Sequence, residues 1–265
     1  MHPFHRTELL VGRDGWQSLK AARVLVVGLG GVGSYAAEAL ARSGVGTLGL
    51  VDFDDVCVTN LNRQLHAFRR TVGQSKAELM ADRARLINPK ARIVAHHAFY
   101  NQDTSDELLG PGWDWVVDCI DNVTAKLHLL ETVHGLGWGV VASMGAGGRL
   151  DPSRIRVTDL AHTSVDPLAR TVRKELRKRG VEQGITAVWT DEHPNELDQV
   201  VQDCFRCICP NGDNGMHSCE DRNLVQGTVS FLPAMFGMAA AGAVVNGILG
   251  RTLHSQRRAE RRVGG

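Results

Sequence analysis

The segment Val24-Leu25-Val26-Val27-Gly28-Leu29-Gly30-Gly31-Val32-Gly33 constrains this chain more than any other. An unbroken apolar run reads as a strand buried on both faces. Gly28, Gly30 and Gly33 then read as a tight turn that opens a helix, and Gly31 leaves the turn bare of one more side chain. Backbone N–H groups at such a helix start bind phosphate with the help of the helix dipole. A strand, a glycine turn and a helix in that order are how a doubly wound sheet begins.

The rest of the chain continues the alternation. A short helix over 7–20 precedes the first strand, 23–28. A helix over 31–43, a strand over 47–52 and a helix over 75–87 follow, the last stopped by Asn88-Pro89. Strands at 92–96, 115–118 and 139–143 have helices between them. After Gly145-Ala146-Gly147-Gly148 the pattern changes. Strands at 154–158 and 185–190 flank a basic helix over 167–179, which suggests an antiparallel extension of the sheet. The expected fold is α/β, a Rossmann-like doubly wound, mostly parallel sheet with an antiparallel C-terminal extension. No internal repeat is seen.

The length, 265 residues, suits one large α/β domain or a domain with a small extension. At 43% hydrophobic and 22% charged the chain is globular. Net charge is +1, so any nucleic-acid contact has to come from local patches. One patch is Arg170, Arg173, Lys174, Arg177, Lys178 and Arg179, set against Glu175. The other is the arginine-rich tail over 251–265, which reads as disordered. Both also read as solvated surface. From Leu224 to Gly250 no charged residue occurs. A helix from about Pro233 to Leu249 is short for a membrane span, and the stretch reads as a core strand plus helix. No secretory signal is seen, so the six cysteines are read as cytosolic thiols or metal ligands. Cys204-x-x-Cys207-x-Cys209 and Cys219 have spacing that suits zinc or iron–sulfur. Loose structural thiols fit them as well.

Asp52 follows Gly28 by 24 residues, the place of a ribose-binding acid. To this point a nicotinamide enzyme and an ATP enzyme are equally good readings. The polar segment over 53–73 is too long for an ordinary connection. It carries Asp54, Asn60, Arg63 and Gln64, and Lys76 opens the next helix. Arg63 and Lys76 can flank a triphosphate. Asp121-Asn122 follows the fourth strand at the carboxyl edge of the sheet, and a carboxylate there reads as a magnesium ligand. Each residue has a plainer account: a loop cap for Asp52, a surface ion pair for Arg63, a solvated lysine for Lys76, a helix cap at Asp121. Their joint occurrence in this order favours an enzyme that breaks ATP at the α-phosphate, where charge develops and needs neutralising.

With these motifs the chain resembles the ubiquitin-activating superfamily of adenylating enzymes. The matching residues are Gly28 to Gly33, Asp52-Phe53-Asp54, Asn60-Leu61-Asn62-Arg63-Gln64, Lys76 and Asp121-Asn122. Phe4-His5-Arg6 resembles the superfamily's extra arginine, which implies a homodimer in which Arg6 serves the partner's ATP site. Within the superfamily the chain is most similar to the tRNA threonylcarbamoyladenosine dehydratases. That similarity lies in Cys57 to Ala67, Gly145 to Pro152, Val157 to Leu160 and Asp166-Pro167-Leu168-Ala169. It implies ATP and magnesium as cofactors, and tRNA bearing threonylcarbamoyladenosine 37 as substrate. It implies activation of the modification's carboxylate as an acyl-adenylate and ring closure by a nitrogen of the same group. Arg6, Arg63, Lys76 and Asp121 would be catalytic. Gly28, Gly30, Gly31, Gly33, Asp52, Asp54, Asn60, Gln64 and Asn122 would hold the nucleotide. Arg170, Arg173, Lys174, Arg177 and Lys178 would hold tRNA phosphates. The resemblance also places Cys219 where relatives keep a thiol that accepts acyl groups or sulfur, which implies a sulfur-transfer partner. The implied organisation is one adenylating domain over 1–250, with a nucleotide half over 23–145. A substrate and dimer half over 146–250 contains the cysteine loop 191–222. The alternative is an activator of a ubiquitin-like sulfur-carrier protein, whose chemistry begins identically.

Overall fold

The computed structural model describes residues 2–196 and 227–253. Seven strands form one sheet: β1 Arg23–Val27, β2 Thr47–Val51, β3 Arg92–His96, β4 Trp115–Asp118, β5 Gly139–Ser143, β6 Ile155–Asp159 and β7 Thr186–Thr190. Their spatial order is β3-β2-β1-β4-β5-β7-β6. The helices are α1 His5–Ala21, α2 Gly33–Ser43, α3 Lys76–Ile87, α4 Gln102–Leu109, α5 Val123–Gly135, α6 Pro167–Lys178 and α7 Phe231–Ile248. The chain winds outward from β1 to β3, then resumes at β4 on the other side of β1. The crevice at the carboxyl ends of β1 and β4 is therefore the switch point, where such sheets bind ligands.

The expected antiparallel extension is present as one pair at the sheet edge. β7 runs parallel to β5, and only β6, at the sheet edge, runs antiparallel to its neighbour. The chain passes from β5 to the edge strand β6 and returns through α6 to β7, which enters between them and runs parallel to β5.

Burial explains both faces. β1 is apolar and buried from Val24 to Val27, with α2, α3 and α7 covering one side through Leu40, Met80 and Phe236. Helices α4, α5 and α6 cover the other, with Leu108, Leu129, Leu130, Val172 and Leu176. The apolar stretch that resembled a membrane span is α7. It packs on α2, where Gly237 faces the Val32 carbonyl, and Leu232, Phe236, Ala240 and Val244 are buried. Pro233 sits in its first turn, where a missing N–H costs nothing. Residues 227–230 contain no strand, so the strand expected before this helix is absent among the described residues. Helix α1 is broken at Gly12, which has φ of 80°.

Candidate active site

The glycine turn is fixed by two contacts that admit no side chain. Gly28 has φ of 88°, a left-handed value that glycine adopts freely. A Cβ on Gly33 would stand 1.7 Å from the Gly28 carbonyl oxygen. Asp52 then ties the turn to β2. Its Oδ2 accepts the Leu29 N–H at 2.6 Å and its Oδ1 accepts the Asp54 N–H at 2.8 Å. Burial pushes the Asp52 carboxyl upward, with Lys76 opposing that shift. Asp52 thus holds the turn in shape.

The polar segment after β2 folds back over the turn. Its base is zipped by Val56 N–H to Gln74 carbonyl and Gly73 N–H to Val56 carbonyl, both 2.9 Å. Asn60 Oδ1 accepts the Cys57 N–H at 2.9 Å, so this amide oxygen closes its own loop. Thr71 Oγ1 donates to the His66 carbonyl at 2.8 Å. The folded loop lays the Arg63 stem against the turn: Arg63 Cγ is 3.3 Å from where a Gly31 Cβ would be. Arg63 Nη1 donates to the Thr59 carbonyl at 2.8 Å and to Asn62 Oδ1 at 2.9 Å. Gln64 Nε2 lies 3.8 Å from the corresponding point on Gly30. Lys76, at the start of α3, donates to Asp54 Oδ2 at 2.7 Å. Asp54, expected to touch nucleotide, is thus the resting partner of Lys76.

Asp121 is exposed just beyond β4, and Asn122 caps α5 by accepting the Ala125 N–H at 3.0 Å. The capping role considered for Asp121 therefore falls to Asn122, which leaves Asp121 open to the crevice edge. Among the described residues the one cluster of three metal-type ligands is His2, His5 and Glu8 at the N-terminus. A lone carboxylate beside phosphates suits magnesium, which keeps its waters and binds few protein ligands.

Arg6 is exposed in the first turn of α1. Phe4 stacks on Trp16, and Trp16 lies under Gly44, at the far end of α2. That helix of 11 residues is about 16 Å long. Cys204, Cys207, Cys209 and Cys219 lie outside the described residues, as does most of the basic tail. Cys119 is a packing residue behind Gly28, its thiol pushed upward by burial.

The basic helix is α6, capped by Asp166, whose Oδ1 accepts the Ala169 N–H at 2.8 Å. It does not present all its cations. Arg173 folds back onto the Thr163 carbonyl at 2.8 Å and onto Thr163 Oγ1, and Lys178 pairs with Glu175 at 2.8 Å. Arg170, Lys174 and Arg177 are exposed and make no ion pair among the described residues.

Three features escaped the sequence. Lys126 and Asp118 form a fully buried ion pair, and Lys126 also donates to the Ser143 carbonyl at 3.0 Å. Its signal was a lysine in the stripe of Leu129, Leu130 and Val133. His66, 3% exposed, has both ring nitrogens unpaired among the described residues, as does Gln64 Oε1. Burial holds the His66 pKa down to about 3, so the ring is neutral. Arg149 links the loop after β5 to Asp166 at 3.0 Å.

Proteins of known name resemble this chain over nearly its whole length. The tRNA threonylcarbamoyladenosine dehydratase of Bacillus subtilis is 39% identical over 249 residues, 94% of this chain and 95% of that protein. The Haemophilus influenzae enzyme of that name is 37% identical over 243 residues, 89% of each. The crystal structure of E. coli tRNA N6-threonylcarbamoyladenosine dehydratase in complex with ATP superposes with a TM-score of 0.79 at 36% identity, covering 93% of both chains. The model of the ThiF family matches residues 4–262, and with the glycine turn, Asp52 and the Arg63 loop in place, the chain belongs to the ThiF family.

Proposed function

We propose that this chain catalyses the ATP-dependent dehydration of threonylcarbamoyladenosine at position 37 of tRNA. The observation that carries the reading is Arg63 laid against Gly31 with Lys76 nearby at the start of α3. A nicotinamide enzyme has no use for two cations beside its phosphate turn. An adenylating enzyme needs them, because negative charge develops on the α-phosphate and pyrophosphate. Near-complete coverage by named tRNA dehydratases supports tRNA over a protein-carrier tail as substrate.

In this reading the glycine turn and the start of α2 bind the phosphates, and Asp52 orients the ribose. Arg63 meets the phosphates directly. Lys76 exchanges Asp54 for a phosphate oxygen. Asp121 would hold magnesium, which would supply positive charge to offset the phosphates. The substrate carboxylate displaces pyrophosphate and becomes an acyl-adenylate. A nitrogen of the same modification then attacks the acyl carbon, the C–O bond to AMP breaks, and a proton leaves the nitrogen. The lost water is accounted for by the carboxylate oxygen that departs on AMP and the proton released. Closure is intramolecular, so positioning does much of the work and no protein nucleophile is required. Arg6 serves the site of a second copy, which its exposure beside Phe4, stacked on Trp16 under the far end of α2, supports. Exposed Leu9 and Leu10 on α1 and Phe231, Met235 and Met238 on α7 offer apolar surface for that homodimer. Arg170, Lys174 and Arg177 take tRNA phosphates, which give affinity rather than sequence readout.

The test is nucleoside mass spectrometry after incubation with ATP, magnesium and tRNA carrying the modification. ATP-dependent loss of one water is expected from the wild type. Arg63→Ala and Asp121→Ala should abolish it while melting normally. Wild-type turnover in both variants would sink the site assignment.

A further inference from the structure

Arg149 is enclosed, 4% exposed, yet it belongs to no part of the nucleotide pocket described above. Its Nη1 donates to the Gly145 carbonyl at 2.6 Å and the Gly147 carbonyl at 3.1 Å. Its Nε donates to the Glu192 carbonyl at 3.1 Å, and its Nη2 to Asp166 Oδ2 at 3.0 Å. Asp166 is 1% exposed and caps α6 with its other oxygen. One guanidinium thus ties the loop after β5, the start of α6 and the chain after β7 into a single knot. Gly145 leaves it no slack, since a Cβ there would stand 2.9 Å from Nη1 and 3.3 Å from Asp166 Oδ2.

The same loop is tethered to the nucleotide side. The Gly148 N–H donates to the Gly227 carbonyl at 2.7 Å, and Asn62 Nδ2 donates to the Thr228 carbonyl at 3.2 Å. Asn62 adjoins Arg63. A path of hydrogen bonds joined by the Gly227–Thr228 and Gly148–Arg149 peptide links therefore runs from the phosphate-side arginine to the first turn of the basic helix. Apolar side chains could fill the Arg149 site at lower desolvation cost. A planar fork that satisfies four acceptors fixes direction as well as distance.

We propose that Arg149 is a positioning residue that sets the start of α6 against the nucleotide-side loop, so that tRNA held on Arg170, Lys174 and Arg177 presents its modified nucleoside to the activated phosphate. This rests on the dehydratase reading. Loss of the clamp leaves the phosphate-binding cations and the ATP pocket in place but misaligned with each other. Misplacement on the ångström scale is enough to slow an aligned reaction by about 10- to 100-fold.

The experiment compares wild type, Asp166→Asn, Arg149→Lys and Arg149→Met. Asparagine keeps the α6 cap and removes the ion pair. Lysine keeps the charge but its single ammonium cannot span the four acceptors. Melting temperature, ATP affinity by calorimetry, tRNA affinity by filter binding and kcat at saturating tRNA are measured for each. Asp166→Asn should keep wild-type ATP and tRNA affinities and lose about tenfold or more in kcat. Arg149→Lys should lose less than Arg149→Met. If Arg149→Met fails to fold, the other two variants still decide. Unchanged kcat in Asp166→Asn and Arg149→Lys would overturn the proposal. So would a parallel fall of melting temperature, both affinities and kcat, which is what a merely structural pair predicts. Absence of water loss with the wild type would instead remove the dehydratase reading, and this inference with it.

Discussion

Two lysine–aspartate pairs stand near the carboxyl edge of the sheet, and their surroundings give them different work. Lys126 and Asp118 lie between β4, β5 and α5 with no exposure on either side chain, and Ser143 takes another Lys126 donor. Lys76 and Asp54 lie at the mouth of the crevice, where Asp54 keeps 22% of its side-chain exposure. The first pair is enclosed and cannot exchange partners without leaving a buried charge. The second has access to solvent and so can release its lysine to a ligand. The residue types are the same, and burial separates an enclosed pair from one open to exchange.

The contrast is broken most directly at Lys126. Lys126→Met leaves Asp118 buried and unpaired and should cost about 3–5 kcal/mol of stability, read by denaturant unfolding. A stable Lys126→Met protein that had lost turnover would move Lys126 into the site. Lys76→Ala should do the reverse, with turnover falling about 10²- to 10³-fold while the fold holds. Normal turnover in that variant would make Lys76 structural too.

His66 sharpens the comparison, since it is a buried polar group beside Lys76 with no described partner. The unfolded chain takes up a proton near the ordinary histidine value, whereas the native ring stays neutral down to about 3. Stability from this group is therefore full above pH 6.5 and is lost as pH falls below it. Between pH 6.5 and pH 5 the wild type should lose on the order of 2 kcal/mol that His66→Gln does not lose. Identical acid profiles of the two melting curves would show that the ring protonates in place.

The smallest effect concerns α6. Arg170, Lys174 and Arg177 changed together to Glu should weaken tRNA binding by about tenfold or more and lower the salt slope by about two to three. Arg173→Glu alone should change stability more than tRNA affinity, because its guanidinium is spent on Thr163. A large affinity loss from Arg173→Glu with normal melting would restore it to the docking face.

Much of the site was legible because its requirements are local. Gly28 and Gly33 are demanded by a turn only a few residues long, and Asp52 follows from strand spacing. Arg63 and Gln64 were visible as polar residues on a loop too long to be idle. Asn60 and Asp54 were visible too, but their partners were not: one folds its own loop and the other holds Lys76. The six cations of the basic segment looked alike in sequence, and packing around Thr163, Glu175 and Glu131 divided them.

By itself the sequence determined the order of strands and helices along the chain and the glycine turn, since these depend on periodicity and glycine over short spans. Only the tertiary structure placed β7 between β5 and β6, paired Lys126 with Asp118, and carried Arg149 to Asp166. The physical reason is the same in each case. Strand neighbours and buried charges choose partners by where packing brings them together, and one strand pattern or one lysine is compatible with several partners until the layers close.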